Sequence, residues 1–395
     1  MKILNISDEL REGLAITASM NLRGHKVLYV LPGSHYKIHR VRLQTDTGSV
    51  TVKYIEIPVI RYPGSSIIST FLKCRNDLLQ QLFATEIIDF DIVVTSSSYT
   101  SFYLSQCVSR IHQIPLLIRI SDLGIVGKFN EAIKLFHYYN ALIELPPGIL
   151  RLFKYVTSGD IVITHTHAIS KFVEHYLNRR NILIYPTYVK MLTENSVQES
   201  IDENYVDMTE HSILGIVNVK RPALSGKHDR KALECLYTIA KYNPSVTVTI
   251  IGTSYKEACT VLGKYELPPN LKLLGAIRND LILEHLYKNS SLIVIPFFFR
   301  KTISNRLLEA LFYGKPALIP SSLKEDFPML KHEENTYMFD ECDEAAVMVR
   351  YLLKSSDVLD RLEKEAKLLW EETFSNRIFG LKMNSVLSSL LGYLY

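Results

Sequence analysis

Ser304-Asn305-Arg306-Leu307-Leu308-Glu309-Ala310-Leu311-Phe312-Tyr313-Gly314-Lys315-Pro316 reads as a short helix with a signal at each end. Ser304 is a candidate N-cap, because its hydroxyl can accept a hydrogen bond from an amide of the first turn. Gly314 and Pro316 mark the stop, since glycine tolerates the left-handed residue after a helix and proline cannot continue one. Leu307, Leu308 and Leu311 form the apolar side. At about 100° per residue, Glu309 points away from Leu307 and Leu311 and shares a face with Asn305 one turn earlier. A helix start presents unpaired amides and a partial positive charge, which suits a diphosphate. A carboxylate one turn further in can accept from a sugar hydroxyl. An ordinary solvated helix with Glu309 on its wet face fits the same pattern, so the surrounding sequence has to decide.

The chain has 395 residues, more than one core usually supports, which sets an expectation of two domains. Hydrophobic residues make up 47% and charged residues 22%, enough apolar material for two cores. The net charge of +4 is too mild to argue for nucleic acid, and it allows a weak attraction to anionic membranes or phosphorylated substrates. Cys74, Cys107, Cys235, Cys259 and Cys342 lie far apart without metal or redox spacing, which suggests buried free thiols in a reducing compartment. Met1-Lys2-Ile3-Leu4-Asn5-Ile6 looks like a first strand rather than a signal peptide, and the longest apolar run, Leu292 to Phe299, is far short of a membrane span. The expectation is a cytoplasmic protein, one that can touch the inner face of the cell membrane.

Short apolar runs alternate with amphipathic stretches, the mark of βαβ units and a parallel sheet. In the first half, strands are expected at Ile3–Ile6, Lys26–Leu31, Ser49–Pro58, Asp91–Thr95, Leu116–Ile120, Asp160–Thr164 and Ile182–Pro186. Helices are expected at Glu12–Arg23, Ser101–Ile111 and Ala168–Leu177. Residues 191–211 are polar and acidic and read as a linker. The pattern then restarts, with strands at Ile213–Val219, Val246–Gly252, Leu271–Gly275, Leu292–Pro296 and Lys315–Pro320. The expected organisation is a domain over 1–190, the linker, a domain over 212–374 and a terminal helix over 375–395 that packs back on the first domain. The stripe Ile378, Phe379, Met383, Val386, Leu387, Leu390, Leu391 and Leu394 in that helix must be buried against something. In open parallel sheets ligands bind at the carboxyl ends of the strands, so a cleft there is the default site.

The order of motifs resembles the GT-B glycosyltransferases, in particular the retaining family 4. Met1-Lys2-Ile3-Leu4 with Arg23-Gly24-His25-Lys26-Val27 is similar to the family's opening strand and turn. Asp91-Ile92-Val93-Val94, the strand from Pro115 to Asp122 and Ile184-Tyr185-Pro186-Thr187 follow in the family's order. The block from 270 to 320 is the more specific part. Asn270-Leu271-Lys272-Leu273-Leu274-Gly275 and Leu308-Glu309-Ala310 with Gly314-Lys315-Pro316 stand there at the family's spacing. The resemblance implies an α/β chain of two Rossmann-like doubly wound domains facing a cleft. It also implies transfer of a sugar, with retention and without a metal or other cofactor, from a nucleoside-diphosphate sugar to a glycan or lipid-linked acceptor.

Carried over position by position, Glu309 holds the ribose. Thr302, Ile303, Ser304 and Asn305 surround the diphosphate. Gly275 and Ile277 lie against the base. Lys220, Arg221 and Lys227 supply the cations that stabilise the leaving diphosphate. Ser121 and Asp122 face the reacting sugar, and Gly13 stands where the family's first loop approaches the donor. On this reading, removing the Glu309 side chain costs nucleotide affinity and almost no thermal stability.

Three departures bear on sugar identity and activity. Lys301 replaces an acidic residue eight positions before Glu309, Ser121 replaces a histidine, and Gly13 stands alone where the family has a glycine pair. Lys301 and Ser121 also suit a catalytically silent scaffold that binds a partner enzyme or glycan, and a sugar-nucleotide epimerase uses the same architecture. Thr164-His165-Thr166-His167 makes at most half a metal site. The aromatic and basic stretch 128–155 suits an interfacial membrane helix, an acceptor groove or plain core.

Overall fold

The computed structural model describes residues 1–7, 9–33, 37–58, 90–96, 99–120, 157–192, 212–217, 223–277, 279–298 and 305–392. Two units emerge: Met1–Met191 with Ser375–Tyr395, and Leu192–Arg300 with Ser304–Phe374.

The first unit is built on β1 (Lys2–Ile6), whose side chains alternate between two buried faces. Leu4 and Ile6 join one apolar cluster, and Ile3 joins the other. Burial on both faces explains why such strands read as continuous apolar runs. Helix α1 (Leu10–Asn21) returns the chain to β2 (Lys26–Gly33), parallel to β1. β3 (Lys37–Thr45) and β4 (Gly48–Pro58) form a hairpin, and β4 lies parallel to β2. On the other side of β1 follow β5 (Ile92–Ser96), β6 (Leu116–Ile120), β7 (Ile161–Thr164) and β8 (Ile182–Leu183), all parallel. β9 (Lys190–Leu192) closes the far edge, so the order is β8-β7-β6-β5-β1-β2-β4-β3-β9.

Helices cover both faces. α2 (Tyr99–His112) and α3 (His167–Leu177) bury Phe102, Val108, Ile169 and Val173 with Leu4 and Ile6. The opposite face receives Ile16 and Met20 of α1 together with Phe379, Met383 and Leu387 of the terminal helix Asn376–Gly392. That helix is tied down by His25 Nε2 and Asn384 Oδ1 at 2.8 Å.

The second unit carries β10 (Ser212–Ile216), α4 (Ala223–Tyr242), β11 (Thr247–Ile251), α5 (Tyr255–Leu262), β12 (Leu271–Leu273) and α6 (Asp280–Asn289). β13 (Leu292–Val294), α7 (Asn305–Phe312), β14 (Ala317–Pro320), β15 (Tyr337–Phe339), α8 (Cys342–Leu353) and α9 (Ser356–Leu369) complete it. Its six strands are parallel in the order β12-β11-β10-β13-β14-β15. Renumbered from β10, that is the 3-2-1-4-5-6 order of a doubly wound nucleotide-binding sheet. The chain is thus an α/β protein of two Rossmann-like units, as the alternation of runs implied. Among the described residues no helix is long and apolar enough to cross a membrane.

Gly13 lies inside α1 rather than in the loop before it. A Cβ there would stand 2.3 Å from the Tyr29 ring, so the missing side chain makes room for Tyr29 of β2. Alanine within a helix gains about 1 kcal/mol over glycine. Overpacking a sealed core costs about 1–3 kcal/mol, and Tyr29 is fully buried with its hydroxyl donating to the Ser7 carbonyl, so it has little freedom to yield. Gly13→Ala should therefore lower the melting temperature, and adding Tyr29→Leu should recover part of the loss. A Gly13→Ala protein as stable as the wild type would contradict this packing.

Candidate functional site

The strand order of the second unit reverses between β10 and β13, and the crevice beyond the carboxyl ends at such a reversal is where parallel sheets take ligands. The chain ends of the neighbouring strands are laced together there. Val217 donates its amide to Ile251 O at 2.9 Å, and Thr253 Oγ1 donates to Val217 O at 2.6 Å. Gly252 donates to Gly275 O at 2.6 Å, and Gly275 donates back to Thr253 O at 3.2 Å. Gly275 has φ of 66°, a left-handed conformation that a side chain would strain. Gly275 thus shapes the edge beyond β12, and Ile277 stands half-buried two residues on.

α7 follows β13 on the other side of the reversal. Its end is a Schellman motif. Lys315 donates its amide to Ala310 O, Gly314 donates to Leu311 O, and Gly314 takes φ of 65°. The stop at Gly314 is the one the sequence implied.

The placement of Glu309 differs from expectation. It lies not on a wet face but 2% exposed, beside buried Leu307, Leu308, Ala310 and Leu311. Asn305, one turn earlier, is exposed. Two groups seal the carboxylate. Tyr287 Oη, from α6, donates to Oε2 at 2.7 Å. Arg306 Nη1 donates to Oε1 at 3.0 Å and to Oε2 at 2.7 Å. Tyr287 in turn stacks on Tyr313 at 5.0 Å between ring centres. A solvated Glu309 is excluded. So is the expectation that its removal leaves stability nearly unchanged, because Tyr287 is fully buried and would lose this acceptor.

Other residues singled out by sequence fall differently. Lys227 is in α4, five residues into the helix after β10. Ser121, Asp122, Lys220, Arg221, Thr302, Ile303 and Ser304 lie outside the described residues, as do Lys301 and the stretch 128–155. The structure brings together two thiols that sequence spacing kept apart: Cys342 lies beside Cys235 and, with burial, pushes the Cys235 thiol up. His165 directs Nδ1 to Ile184 O at 2.7 Å, and no group of three metal-ligating side chains occurs among the described residues.

A second buried charge cluster went unforeseen. Arg119, the second residue from the carboxyl end of β6, is fully buried and pairs through Nη1 with Glu12 Oε1 at 2.5 Å. Its signal was a single arginine inside the apolar run Leu116-Leu117-Ile118-Arg119-Ile120. Burial pushes the Glu12 carboxyl up. The Arg119 guanidinium beside it, with His165 Nε2 3.4 Å away, outweighs burial and holds it well below the usual carboxylate range.

Solved structures share this fold over the whole chain. A sucrose-phosphate synthase from Thermosynechococcus elongatus superposes with a TM-score of 0.69 at 13% identity, covering 100% of both chains. HepE from Anabaena, solved in complex with UDP-glucose, gives 0.62 at 16% identity over 98% of this chain and 100% of its own. A putative UDP-N-acetylglucosamine 2-epimerase from Listeria monocytogenes gives 0.60 at 12% identity over 99% and 97%. No family model matches the chain, and no curated protein matches it either.

The depressed Glu12 carboxyl links stability to pH. Its contribution is fully present above the ordinary carboxyl value of 4.5 and is lost as pH falls below it. The gap in melting temperature between wild type and Glu12→Gln should be widest near neutrality and shrink as pH drops below 4.5. A gap that stays constant into acid would rule out an ionised Glu12 as the stabilising partner.

Proposed function

We propose that the chain is a glycosyltransferase that moves a sugar from a nucleoside-diphosphate sugar to a glycan or lipid-linked acceptor. The observation that carries the reading is a sealed carboxylate, Glu309, on the helix after the reversal point of a 3-2-1-4-5-6 sheet. The full-length likeness to glycosyltransferases, one of them solved with UDP-glucose, supports it at the level of the fold.

In this reading the nucleotide lies on the second unit. Gly275 and Ile277 meet the base, and Glu309 takes a ribose hydroxyl. Arg306, whose side chain is 35% exposed, is the donor that the hydroxyl replaces, while buried Tyr287 keeps the carboxylate oriented. Thr302, Ile303, Ser304 and Asn305 offer amides to the diphosphate at the start of α7. Lys220, Arg221 and Lys227 stabilise the charge that grows on the leaving diphosphate. Because these cations do the work that a bound metal would otherwise do, turnover should survive chelation. Asp122 and Ser121, just past β6, face the reacting sugar, and the anomeric configuration is retained. The stretch 128–155 meets the acceptor or the inner face of the cell membrane, and the enzyme works in the cytoplasm.

An epimerase reading has the Listeria likeness in its favour. It differs in needing no acceptor, so a product from donor alone would select it.

Calorimetry with UDP, GDP and ADP tests the nucleotide site. One of them should bind, and Glu309→Gln should weaken it about tenfold or more, the usual worth of a hydrogen bond to a charged group. Arg306→Ala should leave affinity unchanged or raise it, since it removes the group that the ribose displaces. Equal losses in both variants would make the pair a structural brace only. Binding of none of the three would overturn the reading.

A further inference from the structure

Arg119 uses only part of its guanidinium. Nη1 is on Glu12, whereas Nε and Nη2 are buried and have no partner among the described residues. Those two N–H groups lie parallel in one plane, the fork that matches both oxygens of a carboxylate. Beside them, Ile184 O can only accept, so Nδ1 of His165 carries a proton. Nε2 of the same ring lies 3.4 Å from Glu12 Oε1, and it too is buried without a hydrogen-bond partner among the described residues. Buried N–H groups without an acceptor are strongly disfavoured, so the free edge of Arg119 calls for one.

The cluster sits at the carboxyl edge of the first unit's sheet. Arg119 pairs in register with Ser96 of β5, the strand beside β1 where the order reverses. Glu12 is in the first turn of α1, whose amides add a field favourable to anions.

We propose that Glu12, Arg119 and His165 form a binding site for one planar monocarboxylate, gripped by Nε and Nη2 of Arg119. The proposal concerns residues of the first unit alone and is independent of the nucleotide reading.

Thermal unfolding of the full chain tests it, comparing sodium formate with sodium chloride at equal ionic strength, with glucuronate and phosphate as further arms. Formate should raise the melting temperature above chloride by about 2 °C or more and reach a plateau. Arg119→Lys keeps the charge and loses the fork, so the rise should vanish. Glu12→Gln removes the competing carboxylate, so formate should act at several-fold lower concentration. An equal effect of glucuronate assigns a carboxylate carried on a sugar, and formate alone assigns a small free acid. The proposal fails if formate matches chloride in both wild type and Glu12→Gln, if Arg119→Lys keeps the rise, or if phosphate stabilises more than formate. Should Arg119→Lys not fold, the Glu12→Gln comparison decides.

Discussion

A carboxylate taken out of water must be given donors, and the helix after β13 is organised by that demand. Glu309 is held by the Tyr287 hydroxyl from one helix and by Arg306 from its own. The first contact joins α6 to α7 across the core of the second unit. The second is a pair three residues apart, with its arginine end still partly in water. This asymmetry gives the site its character. The buried donor fixes the carboxylate, and the exposed donor is the one a ligand can replace.

Each unit arrives at the same solution separately. A parallel sheet with helices on both faces leaves its carboxyl edge as the place where polar groups collect. In the first unit the helix after β1 supplies Glu12, met by Arg119 from β6. In the second, the helix after β13 supplies Glu309, met by Arg306. Both carboxylates arise from the helix that follows a strand at the reversal point. The two differ in what seals them: a guanidinium wholly inside the protein in one case, and a tyrosine with a half-exposed arginine in the other. That difference is why the first cluster is read as a carboxylate site and the second as a nucleotide site.

The α/β class and the strand cores were legible because buried strands are apolar on both faces. Leu116–Ile120 falls where the pattern put it, and most other boundaries move by one to several residues. β3 was not foreseen, because Lys37–Thr45 alternates in exposure and carries four basic residues, so no apolar run marks it. β15 and the two helices after it escaped notice for want of a sequence motif. The site was legible in part. Periodicity located Glu309 on the helix but could not show Tyr287, which comes from another element and turns a wet face into a sealed one. The expected helix Glu12–Arg23 already held Gly13, but the resemblance set it at the first loop, and its reason is the Tyr29 ring on the neighbouring strand. Contacts of that kind arise only when distant segments meet.

The most direct measurement is a crystal structure of the protein soaked with the nucleoside-diphosphate sugar that binds it. The account predicts a ribose hydroxyl within hydrogen-bonding distance of the Glu309 carboxylate, Arg306 displaced from it and Tyr287 still in place. A nucleotide seated elsewhere, with the Arg306–Glu309 pair intact, would contradict it.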